Sequence, residues 1–225
     1  MQITAAQVRK IARGKVNESN MNSCLTSLND YGAKVGLDKP WRLAQFIPQI
    51  MHESGEFRYD REIWGPTPAQ KRYEGRRDLG NVVPGDGKKF AGRGPIQTTG
   101  RANVTAFLSW CRANYPQSNV PDFVANPDLI NTDPWEGLTA IWYWTRNNIN
   151  KWADQGNAEM ITRVINGGLN GYADRLELLT RTSLVLLDYL PTGVRSFQIA
   201  HNLEPDGAVG AKTRAEMHKA LKALK

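Results

Sequence analysis

Cysteine, histidine and long apolar runs are all scarce in this chain, and each scarcity removes a class of function. The two cysteines, Cys24 and Cys111, form no CxxC and sit in apolar-periodic stretches, which reads as buried free thiols and not as a disulfide framework or a zinc ribbon. Only three histidines occur, His52, His201 and His218. His52-Glu53 lacks a second histidine four positions on, so a zinc hydrolase site is not expected, nor any other metal or organic cofactor. No GxSxG is present and neither cysteine has a histidine nearby in sequence, which leaves nucleophilic serine or cysteine catalysis without its parts. No stretch of eighteen apolar residues exists, so stable membrane insertion is not expected. The first residues, Met1-Gln-Ile-Thr-Ala5, lack the basic-then-apolar pattern of a secretory signal. The expectation is synthesis in the cytoplasm, with any action outside dependent on release by another agent.

What the chain does have is an excess of positive charge. Lys and Arg number 29 against 22 Asp and Glu, a net charge of +7 over 225 residues. Such an excess favours a polyanionic partner: nucleic acid, an anionic membrane or a bacterial wall. Apart from Lys219, Lys222 and Lys225 at the tail there is no dense basic block, and no recognition-helix or zinc-finger pattern, so nucleic acid is not the expected partner. The length supports one main core and a small appendage, not two full domains.

Helical periodicity dominates. Thr4-Ala-Ala-Gln7 reads as a capping box, and Met21, Cys24, Leu25, Leu28 and Tyr31 repeat at helical spacing, predicting two helices before residue 37. From Trp41, the positions Leu43, Ala44, Phe46, Ile47, Ile50 and Met51 predict a third helix ending near Gly55, bent at Pro48, with His52 and Glu53 at its C-terminal end. Residues 58–100 are interrupted by glycines and prolines throughout, which excludes a long helix; a loop of that length in a small domain is usually functional or disordered. Tyr59, Trp64, Tyr73 and Phe90 within it argue against disorder. Periodicity returns at residues 104–110, 135–144, 158–165 and 175–190. The expected fold is mainly α, with at most a small hairpin in the loop. The expected division is a catalytic domain over residues 1–190 and a short segment over 191–225, too small for its own core and docked on the rest.

The stretch His52-Glu-Ser-Gly-Glu-Phe-Arg-Tyr-Asp-Arg-Glu62 ends an apolar helix on one carboxylate and places others on irregular chain. Hydrolysis of a glycosidic bond needs two carboxyl groups in different settings, one protonated by an apolar surrounding to serve the leaving oxygen, one ionised to activate water or attack carbon. Glu53, beside Ile50 and Met51, fits the first description. Glu56, Asp60 and Glu62 compete for the second, and spacing does not choose among them. Trp64 is placed to stack on a sugar ring or, equally in keeping with its type, to fill core.

Beyond these residues, His52-Glu-Ser-Gly55 is followed by Tyr73-Glu-Gly-Arg76, Asp78-Leu-Gly-Asn81, Pro84-Gly-Asp-Gly87, Phe90, Gly92-Arg-Gly-Pro-Ile-Gln97, Thr99-Gly-Arg101 and Asn103, and later by Asn126-Pro127, Trp142-Tyr-Trp144, Ile165-Asn-Gly-Gly168 and Asp174-Arg175. This pattern, over roughly residues 40–185, resembles bacterial and phage members of glycoside hydrolase family 19, the chitinase-like family with a lysozyme-like, two-lobed helical fold. The resemblance implies Glu53 as general acid and Glu62 as general base, with Glu74 the runner-up for base. It also implies Thr99 as the hydroxyl that orients the water, Gln97, Asn103 and Asn166 as substrate-contacting amides, and Arg175 as an arginine beside the acid. One departure is Val104, where members often carry tyrosine. The string Val194-Arg-Ser-Phe-Gln198, Leu203, Asp206-Gly-Ala-Val-Gly210 and Lys212-Thr213 resembles the second half of a peptidoglycan-binding repeat.

The reading that follows is a monomeric endolysin that inverts β-1,4 bonds between the amino sugars of peptidoglycan strands, with chitin oligomers a secondary substrate. It would wait in the host cytoplasm for a holin-like partner before reaching the wall from the periplasm. A lytic transglycosylase or a chitinase is the enzymatic alternative, and a wall-binding protein with a decayed site the non-enzymatic one.

Overall fold

A computed structural model describes residues 1–115 and 119–224. Its α-helical segments in chain order are α1 (Ala5–Ile11), α2 (Glu18–Tyr31), α3 (Pro40–Glu53), α4 (Pro68–Lys71), α5 (Asp86–Lys89), α6 (Arg101–Asn114), α7 (Trp135–Arg146), α8 (Asn150–Ala153), α9 (Ala158–Asn166), α10 (Tyr172–Leu186), α11 (Val194–Ala200) and α12 (Ala211–Ala223). Among the described residues, strand-type pairing is confined to the isolated bridges Arg61↔Arg93 and Arg93↔Thr98. The mainly α class expected from periodicity is therefore the class found.

The central helix is α3. Pro40 opens it, where a missing N–H costs nothing, and Leu43, Ala44, Phe46, Ile47, Ile50 and Met51 are all buried. The helix runs on through Pro48. Around it pack α10, α8 and α12, while α2 lies against α7. The α2–α7 approach is close because position 137 has no side chain: a Cβ on Gly137 would sit 2.5 Å from Ser27 Oγ and 2.8 Å from Cys24 Cα. Helix α1 begins with the expected reciprocal cap between Thr4 and Gln7. Cys24 and Cys111 are buried free thiols.

The fourth expected return of periodicity, over residues 175–190, overshoots: α10 ends at Leu186. Asp188 adopts φ 61°, and the Tyr189 N–H reaches back to the Leu184 carbonyl at 2.8 Å, a left-handed stop that satisfies an end carbonyl. Tyr189 then packs on Phe197 instead of continuing the helix. Leu184, Phe197 and Met217 make a small second cluster shared between α10 and the tail. Helix α12 meets the main body again where the carbonyl of Asp154 is 3.1 Å from His218 Nε2 and accepts from Lys222 at 3.3 Å.

The long loop is tied at several points. Buried Asn81 donates to the Tyr73 carbonyl at 2.9 Å and accepts from the Arg101 N–H at 2.9 Å. Buried Asp86 pairs with Arg101 at 2.6 and 2.8 Å, a contact that holds its carboxyl below the usual aspartate range. Together with Phe90, which is buried in the main core, these tethers hold the loop to the helical body.

Candidate active site

Helix α3 delivers Glu53 at its last turn and is then stopped sharply. Buried Ser54 donates its hydroxyl to the Ile50 carbonyl at 2.7 Å and accepts from the Phe57 N–H at 2.8 Å. Gly55, Glu56 and Phe57 follow with φ of 59°, 61° and 65°. Two of these are not glycine, a strain of order 1–3 kcal/mol each that persists only where the surroundings impose it. Here Phe57 is buried, its carbonyl accepts from Asn20 at 3.0 Å, and Glu56 is clamped by Arg13 at 2.7 Å. Glu56 is thereby occupied in holding the turn.

The surroundings of Glu53 differ from the apolar setting expected of it. Its Oε1 accepts from Nη2 of Arg175, a buried guanidinium that also donates to Gln49 Oε1. One residue earlier on each helix, His52 Nδ1 meets Asp174 Oδ2 at 2.5 Å. The ends of α3 and α10 are thus zipped by two adjacent pairs. Gly171 makes room for the imidazole, since a Cβ there would lie 2.3 Å from it. Tyr143 also stands near, and its phenol is raised by burial and then by the charge of Glu53.

Glu62 arrives on a strap. The Asp60 carbonyl accepts from the Gly94 N–H at 2.7 Å, and the Glu62 N–H donates to the Gly92 carbonyl at 2.8 Å. The Glu62 carboxylate is surrounded by donors: the Gly92 N–H at 3.1 Å on Oε2, Gln70 Nε2 at 3.0 Å and the Tyr73 hydroxyl at 3.3 Å on Oε1. Burial and then Glu62 itself raise the Tyr73 phenol, which keeps that donor protonated. Gly92 is required at the crossing, because a Cβ would lie 2.7 Å from Gln97 Oε1 and 3.3 Å from Thr99 Oγ1. Gln97, Thr99 and Glu62 therefore converge on one glycine. Thr99 donates its hydroxyl to the Gln97 carbonyl at 2.8 Å, leaving its lone pairs to accept.

Glu53 and Glu62 share a cleft of about 290 Å³, lined also by Tyr59, Arg61, Ile63 and Gln97. The remaining residues singled out in the sequence lie elsewhere. Both Glu74 oxygens accept backbone N–H groups, Gly85 at 2.7 Å and Gly87 at 2.8 Å, and Glu74 is not among the residues lining that cleft. Trp64 is half-buried against Tyr73, ring centroids 6.4 Å apart. Asn103 has both ends engaged, donating to the Thr99 carbonyl at 2.8 Å and accepting from Arg146 at 3.1 Å. Asn166 is exposed at the end of α9. Sequence reasoning passed over Tyr59, Arg61 and Ile63 as cleft lining and Gln70 as a Glu62 partner; only Tyr73 had a signal, as part of a motif.

No family model matches the chain. A glycosyl hydrolase family 19 domain-containing protein of Haemophilus influenzae is 32% identical over 172 residues, covering 64% of this chain and 80% of that protein. Endochitinase EP3 of Arabidopsis thaliana is 33% identical over 150 residues, covering 64% of this chain and 49% of the plant protein. The chain thus spans about half the length of that plant relative. In fold, it is similar to chitinase C of Streptomyces griseus, TM-score 0.63 at 22% identity over 82% of this chain and 92% of the other. A class IV chitinase of Zea mays gives 0.58 at 20% identity over 82% and 92%. The extent of the match to the Haemophilus protein, over a helical fold shared with solved chitinases, places this chain in glycosyl hydrolase family 19, among the glycoside hydrolases.

Proposed function

We propose that the chain is an endolysin-type hydrolase of β-1,4 bonds between the amino sugars of peptidoglycan, with Glu53 as general acid and Glu62 as general base. The observation that carries this reading is the pair of carboxyl groups in one cleft with opposite attachments. Glu62 accepts from three donors, a setting suited to an ionised base. Glu53 is anchored through Oε1 alone, so Oε2 is left to carry a proton to the leaving oxygen. As that proton departs, the charge growing on Glu53 meets Arg175, an interaction stronger after transfer than before it and therefore catalytic in effect. A water between Glu62 and Thr99 would donate one hydrogen to each and present its lone pair to the anomeric carbon. Gln97 fixes the sugar from the cleft wall. Glu62 lines the cleft together with Glu53 and Glu74 does not, which favours Glu62 over it as base.

Charge supports the wall as substrate: a chain of net charge +7 is drawn to an anionic wall more than to a neutral polymer. The names of the plant relatives favour chitin oligomers as a second substrate. Release to the wall through a holin-like partner, and action there as a monomer, complete the proposal, with the tail over residues 191–225 adding wall contact or stability. Mass spectrometry of digested peptidoglycan tests it. New reducing amino-sugar ends are expected; 1,6-anhydro ends would assign a lytic transglycosylase instead, and an intact wall beside degraded chitin oligomers would make it a chitinase.

A further inference from the structure

The cleft that holds the two carboxylates is also lined by a charged residue that neither acid nor base catalysis uses. Arg61 is the one cation among the side chains lining the cleft, and its own side chain is 52% exposed. Its backbone is fixed by the bridge to Arg93, so the guanidinium is presented from a rigid point. The neighbour Asp60 takes Nε at 3.3 Å and Nη2 at 3.1 Å in a two-point contact. Asp60 spends Oδ2 also on Asn131 at 2.7 Å. Nη1 makes no hydrogen bond among the described residues. Flanking it, Tyr59 and Ile63 are exposed by 43% and 73%, an apolar surface open to the same cleft.

Unsubstituted chitin is neutral: its hydroxyl and acetamido oxygens can accept from a guanidinium, but it offers no charge to pair with one. A strand whose alternate sugars carry a lactyl-peptide substituent offers both a methyl-bearing branch and carboxylates. We propose that Arg61 determines specificity by binding a carboxylate of that substituent, with Tyr59 and Ile63 against its apolar part. With Nε and Nη2 turned to Asp60, Nη1 supplies the free donors of the planar guanidinium, a fixed geometry for a carboxylate that lysine reproduces only as a point charge. This inference rests on the peptidoglycan reading and names the residue through which the wall is told from chitin.

The test compares wild type, Arg61→Gln and Arg61→Lys on purified peptidoglycan, on the same peptidoglycan with its carboxyl groups amidated, and on chitin oligomers, with thermal melting to check the fold. On native peptidoglycan Arg61→Gln should lose roughly tenfold in kcat/KM, the worth of a hydrogen bond to a charged group in a half-exposed site. Amidation should cost wild type about the same, so that the two enzymes converge on the amidated wall, and Arg61→Lys should recover part of the loss. An equal loss for Arg61→Gln on native wall, amidated wall and chitin oligomers would reveal a structural role, and no loss on native wall would mean that Arg61 reads nothing; either overturns the proposal. If wild type cleaves chitin oligomers but neither wall preparation, the peptidoglycan reading itself fails and takes this one with it.

Discussion

The decisive residues are told apart by what holds them. Glu53→Gln keeps the Arg175 contact but carries no transferable proton, so activity should fall by about 10² to 10⁴-fold with the fold intact. Glu62→Gln should fall similarly. Glu74→Gln should leave turnover within a few-fold and instead cost about 1 kcal/mol of stability, since one of the N–H groups of Gly85 and Gly87 would meet an NH2 that cannot accept and the other a neutral oxygen. Wall-clearing rates and melting curves of the three variants check this, and the reverse ranking would move the base to Glu74. A different carboxylate governs stability. Glu136, on α7, is buried with Oε1 lacking a hydrogen-bond partner. Burial, then Asp60 and Asp133, push it up from 4.5 to about 7. The folded protein thus holds this proton more tightly than the unfolded chain does, so stability falls as pH rises through that interval. The full penalty, on the order of 3 kcal/mol at most, is present above it. Glu136→Gln should therefore melt near wild type at pH 5 and several degrees above it at pH 8; equal melting temperatures at pH 8 would contradict this.

At the scale of elements, what the sequence revealed and what it hid divide along chain separation. The helix ending in Glu53, the cap at Thr4 and the ordered loop were legible because each is a local pattern. The local pattern misjudged the setting of Glu53, because Arg175 comes to it from 122 positions away and only the family resemblance pointed to that arginine. It also misjudged the end of α10: Tyr189 and Leu190 keep the apolar rhythm, and nothing local announces the left-handed Asp188. Trp64 illustrates a third case, a residue whose type fits two roles until its neighbour Tyr73 is seen. Glu74 belongs to the same lesson, since a motif glutamate reads alike whether it faces substrate or two backbone amides. The tail is an element with its own test. Because Phe197 and Met217 share Leu184 with α10, truncation after Leu190 should lower the melting temperature by several degrees. Weaker retention on insoluble wall at unchanged melting temperature would show a binding element instead.

For the whole molecule, the account is one of a rigid helical body presenting a braced loop. Helix α3 and helix α10 fix Glu53, the proposed acid, through paired side chains, and the strap of residues 60–62 against 92–94 fixes Glu62, the proposed base, beside Gln97 and Thr99. A carboxylate placed to activate water on the far sugar face inverts the anomeric centre, whereas one placed to attack carbon retains it. The donors around Glu62 and the accepting hydroxyl of Thr99 favour the first, so the central claim reduces to which anomer appears first. Proton NMR of a freshly cleaved amino-sugar oligomer should show the α-anomer accumulating before mutarotation; initial accumulation of the β-anomer, or a glycosyl adduct trapped on Glu62, would contradict it.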